Sequence, residues 1–274
     1  MYKGVLSKMR TEGLDPVRYT LPLGETEVAV NDWLGKPIRL QATGRAFCVS
    51  CGKEIARRYG QGFCYPCFEE SPHNSPCIVR PELCRAHVGE GRDPAWEAKY
   101  HHQPHVVYLA LSGSIKVGVT LATNVPTRWV DQGASAAVVI ARTPYRALAG
   151  EIEVMLKGAF GDKTHWQQML RGEVPPLNLA AERQRAHGLL SPSLQQYAET
   201  EAGVVQIAYP ILQPLSTVQS VNPEKQSRWE GALTGIRGQY LMIDGRTVLN
   251  VRRYAGLEIT WQPGKAQPVQ GSLF

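Results

Sequence analysis

No stretch of this 274-residue chain is apolar for long enough to cross a lipid bilayer. The longest apolar runs, such as Ala136 to Ala141, are far shorter than the roughly 20 residues that a spanning helix needs. The N-terminus also lacks the extended apolar core of a secretion signal. We therefore expect a cytoplasmic protein that has no membrane partner.

Basic residues are not concentrated anywhere, because no run of five or more Lys or Arg occurs. The formal net charge is nevertheless +6 and the pI is near 9.0. This balance fits an anionic partner such as DNA or RNA, and it equally fits a soluble protein with a mildly basic surface. With 43% hydrophobic and 20% charged residues the chain can bury a core, and its length favours two or three small domains.

Cysteine is scarce, at six residues, but four of the six stand in two Cys-x-x-Cys motifs. In a reducing compartment such cysteines are metal ligands more often than disulfide partners. Two such knuckles, twelve residues apart, supply the tetrahedral sulfur set that structural Zn²⁺ prefers. We predict a zinc ion that holds the fold, with no open coordination position, on Cys48, Cys51, Cys64 and Cys67.

The remaining two cysteines are followed by several histidines at irregular spacing. One interpretation is a second Zn²⁺ held by Cys77, Cys84, His87 and His102, with His101 competing for a place. The alternative is that both cysteines are small buried apolar residues and that the histidines lie on the surface or form hydrogen bonds. The spacing does not choose between these two interpretations.

The two ends of the chain are predicted to be β-structure and resemble one another. YKGVLSKMR (Tyr2 to Arg10) matches WEGALTGIR (Trp229 to Arg237), and VNDWLGKPIRL after the first matches LNVRRYAGLEI after the second. The ends therefore look like copies of one β-unit. We expect them to pair into one small β-barrel or sandwich, because neither copy alone has enough strands to bury a face. Convergent β-patterning is the alternative.

The centre of the chain is predicted to be a β-hairpin followed by a helix. VVYLAL and SIKVGVT alternate or run apolar, and the Ser-Gly-Ser between them favours a tight turn. The first strand carries Tyr108 and the second carries Lys116. Arg128 lies in the first turn of the helix, in the stretch VPTRW.

A second helix is indicated by Thr143 and Pro144, a cap and a first helical position. Glu151 and Glu153 fall on opposite flanks of its apolar stripe, so periodicity alone does not say which of them faces the hairpin. The residues predicted to form that stripe are Leu148, Ile152, Met155 and Ala159.

This order of motifs resembles the GIY-YIG endonuclease superfamily over about 60 of the 274 residues, in the branch whose second motif has Lys in place of its first Tyr. The resemblance implies that Tyr108 helps to activate water, that Arg128 neutralises phosphate charge and that Glu153 holds Mg²⁺ or Mn²⁺. Glu153 is preferred to Glu151 because the superfamily's glutamate directly follows an apolar residue. Lys116, where the second Tyr is absent, could contact phosphate or lower the pKa of the first Tyr.

A second resemblance spans nearly the whole chain. The zinc knuckles, VYLALSGSIKVGVT, RWVDQGA, AGEIE, DKTHW and RGQYLMIDG are together similar to an uncharacterised prokaryotic family of unknown function. We expect an α+β fold in which a zinc-knuckle module precedes a GIY-YIG-like hairpin and helix domain, with the β-domain of the two ends beside them. The expected bounds are 1–45 with 200–274 for the β-rich domain, 46–104 for the zinc-binding module, 105–175 for the GIY-YIG-like domain and 176–199 for a helical connector.

Two functions from different classes follow. The first is a nucleic-acid-binding endonuclease, a hydrolase that cleaves phosphodiester bonds of DNA or RNA with a divalent metal. The second is a noncatalytic zinc-containing nucleic-acid-binding protein, favoured by Val106 and Val107 standing where Gly and Ile belong. Basic and aromatic residues near the C-terminus either bind nucleic acid or are core and strand ends. They are Arg252, Arg253, Tyr240, Tyr254 and Trp261.

Overall fold

The computed structural model describes residues 1–161 and 165–265 and has a mixed α+β fold. The chain divides into two compact units. The first, called here the β-rich unit, comprises Met1–Tyr65 and the described residues from Tyr209 onward. The second, the α+β unit, comprises Pro66–Ala208. Among the described residues, none of the helices combines the length and the apolar character that crossing a membrane requires.

The strands lie in the two segments at the chain ends and in the central part of the chain. In chain order they are β1 (Tyr2–Val5), β2 (Arg10–Glu12), β3 (Arg18–Leu23), β4 (Thr26–Ala29), β5 (Pro37–Ala46), β6 (His105–Leu111), β7 (Ile115–Leu121), β8 (Ala136–Thr143), β9 (Val205–Gln206), β10 (Gln219–Ser220), β11 (Arg228–Arg237), β12 (Tyr240–Ile243), β13 (Thr247–Asn250) and β14 (Leu257–Pro263).

The α-helices lie between the two β-rich ends. They are α1 (Tyr65–Glu70), α2 (Pro94–Tyr100), α3 (Thr127–Asp131), α4 (Arg146–Phe160), α5 (Trp166–Arg171), α6 (Leu179–Gly188) and α7 (Pro192–Gln195). Short 3₁₀ helices cover Val30–Trp33, Pro72–Asn74, Pro76–Ile78, Pro81–Leu83, Ala86–Val88 and Ala122–Asn124.

The β-rich unit contains a seven-stranded sheet in the order β1-β14-β5-β11-β12-β13-β10 and a three-stranded sheet in the order β2-β3-β4. Of the two expected forms, a barrel or a sandwich, the barrel is wrong, because in the part of the chain that the structure describes neither sheet closes on itself. The edge strands are too short for closure: β1 has four residues and β10 has two. Strands β12 and β13 are joined by a tight turn at Asp244-Gly245, where both residues have positive φ, as such hairpin turns require.

The two similar chain ends occupy equivalent places in the larger sheet. β1, from the first segment, pairs with β14 from the second, so that Tyr2 is opposite Trp261. β11, from the second segment, pairs with β5 from the first, so that Trp229 is opposite Leu40. β14 and β5 pair with each other at the centre. The last strand of each segment, β5 or β14, therefore pairs with strands of the other segment. This exchange buries apolar faces that neither segment could bury alone.

The α+β unit is built on an antiparallel sheet in the order β7-β6-β8-β9. The predicted hairpin is confirmed as β6 and β7, joined through Gly113 at φ +80°. The strand Ala136–Thr143 was not predicted, although it pairs with β6 along its whole length. One face of this sheet packs on α4 and α6, through Val107, Leu109 and their neighbours.

Helix α4 differs from its predicted outline in two respects. It begins at Arg146, because Thr143 still belongs to β8 and its hydroxyl donates to the carbonyl of Tyr145. Leu148 and Ile152 are buried as expected, but Met155 is 42% exposed and Leu156 is fully buried in its place. The row of residues spaced by four faces the sheet, so the contact follows i, i+4 rather than i, i+3.

Two glycines of α4 give a matched test of this packing. A β-carbon added at Gly150 would lie 2.2 Å from the backbone N of Glu82, whereas one added at Gly158 would meet nothing within 4 Å. We expect Gly158→Ala to stabilise the protein by roughly 0.5–1 kcal/mol through helix propensity. Gly150→Ala should destabilise it by about 1–3 kcal/mol, because backbone must move. Urea unfolding measures both, and equal effects of the two substitutions would contradict the close approach of Pro81–Leu83 to α4.

Candidate functional site

The hairpin register brings the predicted site residues of β6 and β7 to one face of the sheet. Tyr108 is directly opposite Gly118, and Lys116 is opposite Ala110, two residues along. Opposed residues of an antiparallel pair point to the same side, so Tyr108 and Lys116 share a face. This face is opposite to the one that packs on α4. A β-carbon at Gly118 would lie 2.7 Å from the Tyr108 hydroxyl, so only glycine lets the phenol lie across β7.

Arg128 reaches Tyr108 through Gln132, one helical turn further along. The Tyr108 hydroxyl donates to the side-chain amide oxygen of Gln132. With the amide oriented to satisfy its neighbours, its oxygen accepts from Arg128 Nε at 3.0 Å and Nη2 at 3.1 Å, and from Tyr108 at 2.8 Å. Ser112 Oγ fixes this turn by donating to the Gln132 carbonyl at 2.5 Å. A guanidinium half exposed to solvent is thus held in place beside a buried phenol.

Tyr108 is a neutral group in this setting. Complete burial raises the pKa of its hydroxyl, against the opposing effect of the nearby Arg128 charge and the Gln132 hydrogen bond. The negative charge of Glu153 raises the pKa of Tyr108 further. A phenol with a raised pKa donates hydrogen bonds at neutral pH and is a poor proton acceptor.

The two glutamates contested in α4 differ in burial. Glu153 is 8% exposed, whereas Glu151 is exposed to solvent. Glu153 Oε2 lies 3.8 Å from Lys157 Nζ, one turn along the same helix. The effect of Glu153 on the pKa of Tyr108 places its carboxylate within electrostatic reach of the hairpin site. Tyr108, Arg128 and Gln132 are therefore in direct contact.

A magnesium or manganese ion on Glu153 would have few protein ligands. In the described part of the chain, Glu153 belongs to no group of three or more acidic, His or Cys side chains close enough to share an ion. Mg²⁺ commonly binds through one or two carboxylates and keeps several waters or phosphate oxygens. The residues fit such a site only if the substrate itself supplies ligands.

The four knuckle cysteines form a compact cluster. Their Sγ atoms all lie within 4.8 Å of one another, and those of Cys51 and Cys64 are 3.9 Å apart. Tetrahedral zinc with Zn–S bonds of about 2.3 Å separates its sulfurs by roughly 3.8 Å. All six cysteines lie in the described residues and none forms a disulfide bond. The cluster of Cys48, Cys51, Cys64 and Cys67 can therefore hold a zinc ion as predicted.

Local backbone geometry prepares the first knuckle for a metal. The Cys48 amide bonds to the Lys53 carbonyl at 2.8 Å and the Gly52 amide to the Cys48 carbonyl at 2.9 Å, which closes the turn. Burial alone would raise the pKa of Cys48, but backbone N–H groups of Cys51, Cys64 and Ser50 hold the pKa of this thiol at about 6. Thiolate is the form that binds metal.

The structure gathers a different set of residues around the remaining two cysteines than the predicted one. Cys77 and Cys84 lie beside His101 and Glu97. His87 instead stacks on Tyr145, with ring centroids 4.6 Å apart. His102 also faces the Tyr145 ring, edge-on at 6.2 Å. In the described residues, neither His87 nor His102 belongs to the group of thiols.

A basic surface with aromatic neighbours lies in the β-rich unit. Trp261 and Tyr254 are buried, as expected of core residues, while Arg253 is exposed and contacts the Tyr254 ring at 5.8 Å. The Arg58 guanidinium donates to the Arg253 carbonyl at 3.0 Å, which joins this strand end to the loop between the knuckles. We call the following set the knuckle-side basic surface: Arg57, Arg252 and Arg253, with Tyr59 and Tyr65.

Two residues that were not predicted, Gln132 and Glu97, nevertheless left a signal in the sequence. Gln132 follows Arg128 by four positions and His101 follows Glu97 by four, and side chains at this spacing are neighbours on a helix. Their partners come from other segments, which spacing alone does not reveal.

Comparison with known proteins gives one match. A family model described as "Protein of unknown function (DUF2797)" matches residues 35–259, more than four fifths of the chain. No curated protein and no solved structure matches.

Proposed function

We propose that this chain, which belongs to the DUF2797 family of proteins of unknown function, binds nucleic acid. In this proposal its Tyr108–Arg128 site contacts a backbone phosphate and cleaves the phosphodiester bond. The observation that carries the proposal is the Arg128 guanidinium, which is anchored through Gln132 to buried Tyr108 and is half exposed to solvent. An anchored guanidinium can bind two phosphate oxygens with a fork of parallel donors.

The proposed fold for this part of the chain is GIY-YIG-like. Its support is the arrangement of Tyr108 and Gly118 on paired strands, Arg128 on the first following helix and Glu153 on the next long one. The strand β8 between the two helices pairs with β6 and completes a compact sheet behind them.

The chemistry proposed is hydrolysis: a water oxygen forms a bond to phosphorus and releases its proton to solvent, while the bond to the leaving sugar oxygen breaks and that oxygen takes up a proton from solvent. Arg128 neutralises charge that builds on the phosphate oxygens. A Mg²⁺ or Mn²⁺ ion held by Glu153 would polarise the phosphate and its water ligands. Tyr108, with its raised pKa, acts as a neutral donor that orients Gln132 and, through it, Arg128.

A second candidate function has its own supporting observation. Tyr108 is completely buried and its pKa is raised, so the water-activating role implied by the family resemblance has no suitable base in it. A noncatalytic DNA- or RNA-binding protein needs only Arg128 and neighbouring cations to hold phosphate. The knuckle-side basic surface supports nucleic-acid binding in either case, because arginines with exposed aromatics suit backbone contact and base stacking.

The experiment is a cleavage and binding assay on the purified full chain. Labelled single-stranded, duplex and branched DNA and single-stranded RNA are incubated with Mg²⁺, Mn²⁺ or EDTA. We expect metal-dependent cleavage that falls at least about 100-fold in Glu153→Gln and Arg128→Gln, the size of effect seen on losing one electrostatic stabiliser. Glu151→Gln is the matched control, since it removes an exposed carboxylate from the same helix.

The outcomes separate the two candidates. Binding without cleavage by wild type, weakened by Arg128→Gln with the salt dependence reduced by about one phosphate contact, supports the noncatalytic function. Arg142→Gln serves there as control, because Arg142 is exposed on β8 and pairs with Glu199. Absence of both binding and cleavage across all substrates contradicts both candidates.

A further inference from the structure

Four potential metal ligands from separate short segments meet in the interior of the α+β unit. Cys77 lies in the 3₁₀ helix Pro76–Ile78, and Cys84 follows the next one. Glu97 lies in α2, and His101 caps the C-terminal end of that helix. All four donor atoms are within 4.8 Å of one another. We propose that they form a second zinc site, whose ligands are Cys77, Cys84, Glu97 and His101.

The distances between donor atoms match a tetrahedral zinc site. His101 Nδ1 is 3.7 Å from Cys77 Sγ and 3.6 Å from Cys84 Sγ. The same nitrogen is 3.9 Å from Glu97 Oε2. Zinc bonds of about 2.0–2.3 Å arranged tetrahedrally separate the ligand atoms by roughly 3.3–3.8 Å. The three distances from His101 therefore differ from those of a tetrahedral site by about half an ångström or less.

The burial of the group calls for a positive charge at its centre. Cys77, Cys84, Glu97 and His101 are each 4% exposed or less. A buried carboxylate is costly unless it is paired, and the ion-pair partner of Glu97 in the described residues is His101 itself. The Arg92 amide donates to Glu97 at 3.0 Å, but the Arg92 guanidinium bonds to the carbonyls of Phe68 and Ser71. A divalent cation would supply the missing charge.

Arg146 complements the charge that remains. Two thiolates and a carboxylate carry one more negative charge than Zn²⁺ neutralises. The Arg146 guanidinium donates to the Cys77 carbonyl at 2.9 and 3.1 Å and to the Ile78 carbonyl at 3.0 Å. A fixed cation therefore lies against the peptide that carries one thiolate, as neighbouring groups do around structural metals.

The chain is packed closely around the carboxylate. A β-carbon added at Gly91 would lie 2.2 Å from the Glu97 carboxyl group, so the loop before α2 covers it at backbone distance. Ser75 Oγ lies 3.4 Å from Cys77 Sγ and can orient that sulfur. The enclosure leaves the site with four protein donors and no exposed position, which is the pattern of structural zinc rather than catalytic zinc.

The proposed site fixes the helix that carries Glu153. The Arg146 amide donates to the His101 carbonyl at 2.9 Å, at the start of α4. Gly150, one turn on, packs directly against Pro81–Leu83. The ion would tie the 3₁₀-rich segment of residues 72–88 to α2, and this assembly then holds the first two turns of α4. This role does not depend on whether Glu153 binds a metal.

Zinc content of the purified full chain tests the proposal. We expect two zinc equivalents in wild type and one after Cys77→Ser with Cys84→Ser. Glu97→Gln and His101→Gln each remove a proposed ligand and should weaken zinc retention by at least about 100-fold. That value is the upper range for losing a residue that only supports a ligand, and a ligand itself contributes more. His87→Gln and His102→Gln are the matched controls and should retain both equivalents, since these histidines lie outside the group.

A measurement on wild type keeps the test decisive if a variant fails to fold. X-ray absorption at the zinc edge should give an average of about three sulfur ligands per zinc, because one site offers four thiolates and the other two. One zinc equivalent with four sulfur ligands would overturn the proposal. So would full retention of zinc by the Cys77→Ser/Cys84→Ser variant, which would make the pair an apolar part of the core.

Discussion

Replacing Cys48 and Cys51 by serine is expected to remove one zinc equivalent and to unfold the loop between the knuckles. Structural zinc contributes apparent free energies of about 10–16 kcal/mol at neutral pH, comparable to the whole stability of a domain. The loop depends on the ion because few regular elements hold it: the Val49 amide bonds to the Gly62 carbonyl and the Phe47 amide to the Gly256 carbonyl. Even a loss of about 4 kcal/mol would lower Tm by roughly 8 °C or more.

The measurement combines zinc analysis with thermal unfolding of the same samples. Ser50→Ala is the control, because Ser50 lies within the knuckle and its backbone amide, which bonds to Cys48 Sγ at 3.4 Å, is unchanged. It should retain zinc and Tm. If the Cys48→Ser/Cys51→Ser variant keeps both the metal and the Tm of wild type, the four cysteines do not form a structural zinc site.

The four-cysteine cluster and the hairpin were predictable because each is a local pattern. Two Cys-x-x-Cys turns specify their own geometry, and apolar alternation around Ser-Gly-Ser specifies paired strands. The position of Tyr108 and Lys116 on one face followed from strand register alone. Gln132 was not predicted, since an uncharged side chain acquires its role only where Tyr108 and Arg128 meet it.

The ligands proposed for a second zinc show what spacing cannot give. The sequence places His87 three residues after Cys84 and His102 beside His101, so all three histidines were plausible partners. The choice is made by α2, which ends at Tyr100 and brings the Glu97 and His101 side chains to the same side. His87 is directed to the ring of Tyr145 instead. Helix phase and tertiary packing, rather than motif, select the ligands.

The β-rich unit was predictable from local sequence patterns in part, and in part depends on long-range packing that no local pattern reveals. Similar sequences at the chain ends indicated related β-units, and pairing of the two was expected on the ground that one unit is too small to bury a face. The exchange of last strands, with β1 on β14 and β11 on β5, depends on pairings between residues far apart in the sequence, such as Tyr2 with Trp261 and Leu40 with Trp229, and has no local signal. The seven-stranded sheet does not close into a barrel because its edge strands, β1 and β10, are short. The length of each edge strand is set by where the neighbouring turns end.

Trp261 lies where the exchanged strands meet, and Trp261→Ala is expected to destabilise the β-rich unit by about 3–5 kcal/mol. Its side chain is fully buried, opposite Tyr2 on one side and Leu40 on the other, and its ring meets that of Trp33 edge-on at 6.0 Å. Truncating a buried tryptophan loses its transfer free energy and leaves a cavity. Denaturant unfolding, followed by fluorescence and circular dichroism, measures the loss.

Two further variants separate the size of the Trp261 ring from its polar atom. Among the described residues the buried Trp261 Nε1 has no hydrogen-bond partner, so Trp261→Phe removes an N–H that is costly to bury. That gain offsets part of the smaller volume, and we expect a net change below about 1.5 kcal/mol. Gln262→Ala changes the adjacent, partly exposed position and should stay within about 0.5 kcal/mol. A cost for Trp261→Ala no larger than that of Gln262→Ala would show that the exchanged strands do not share a core around Trp261.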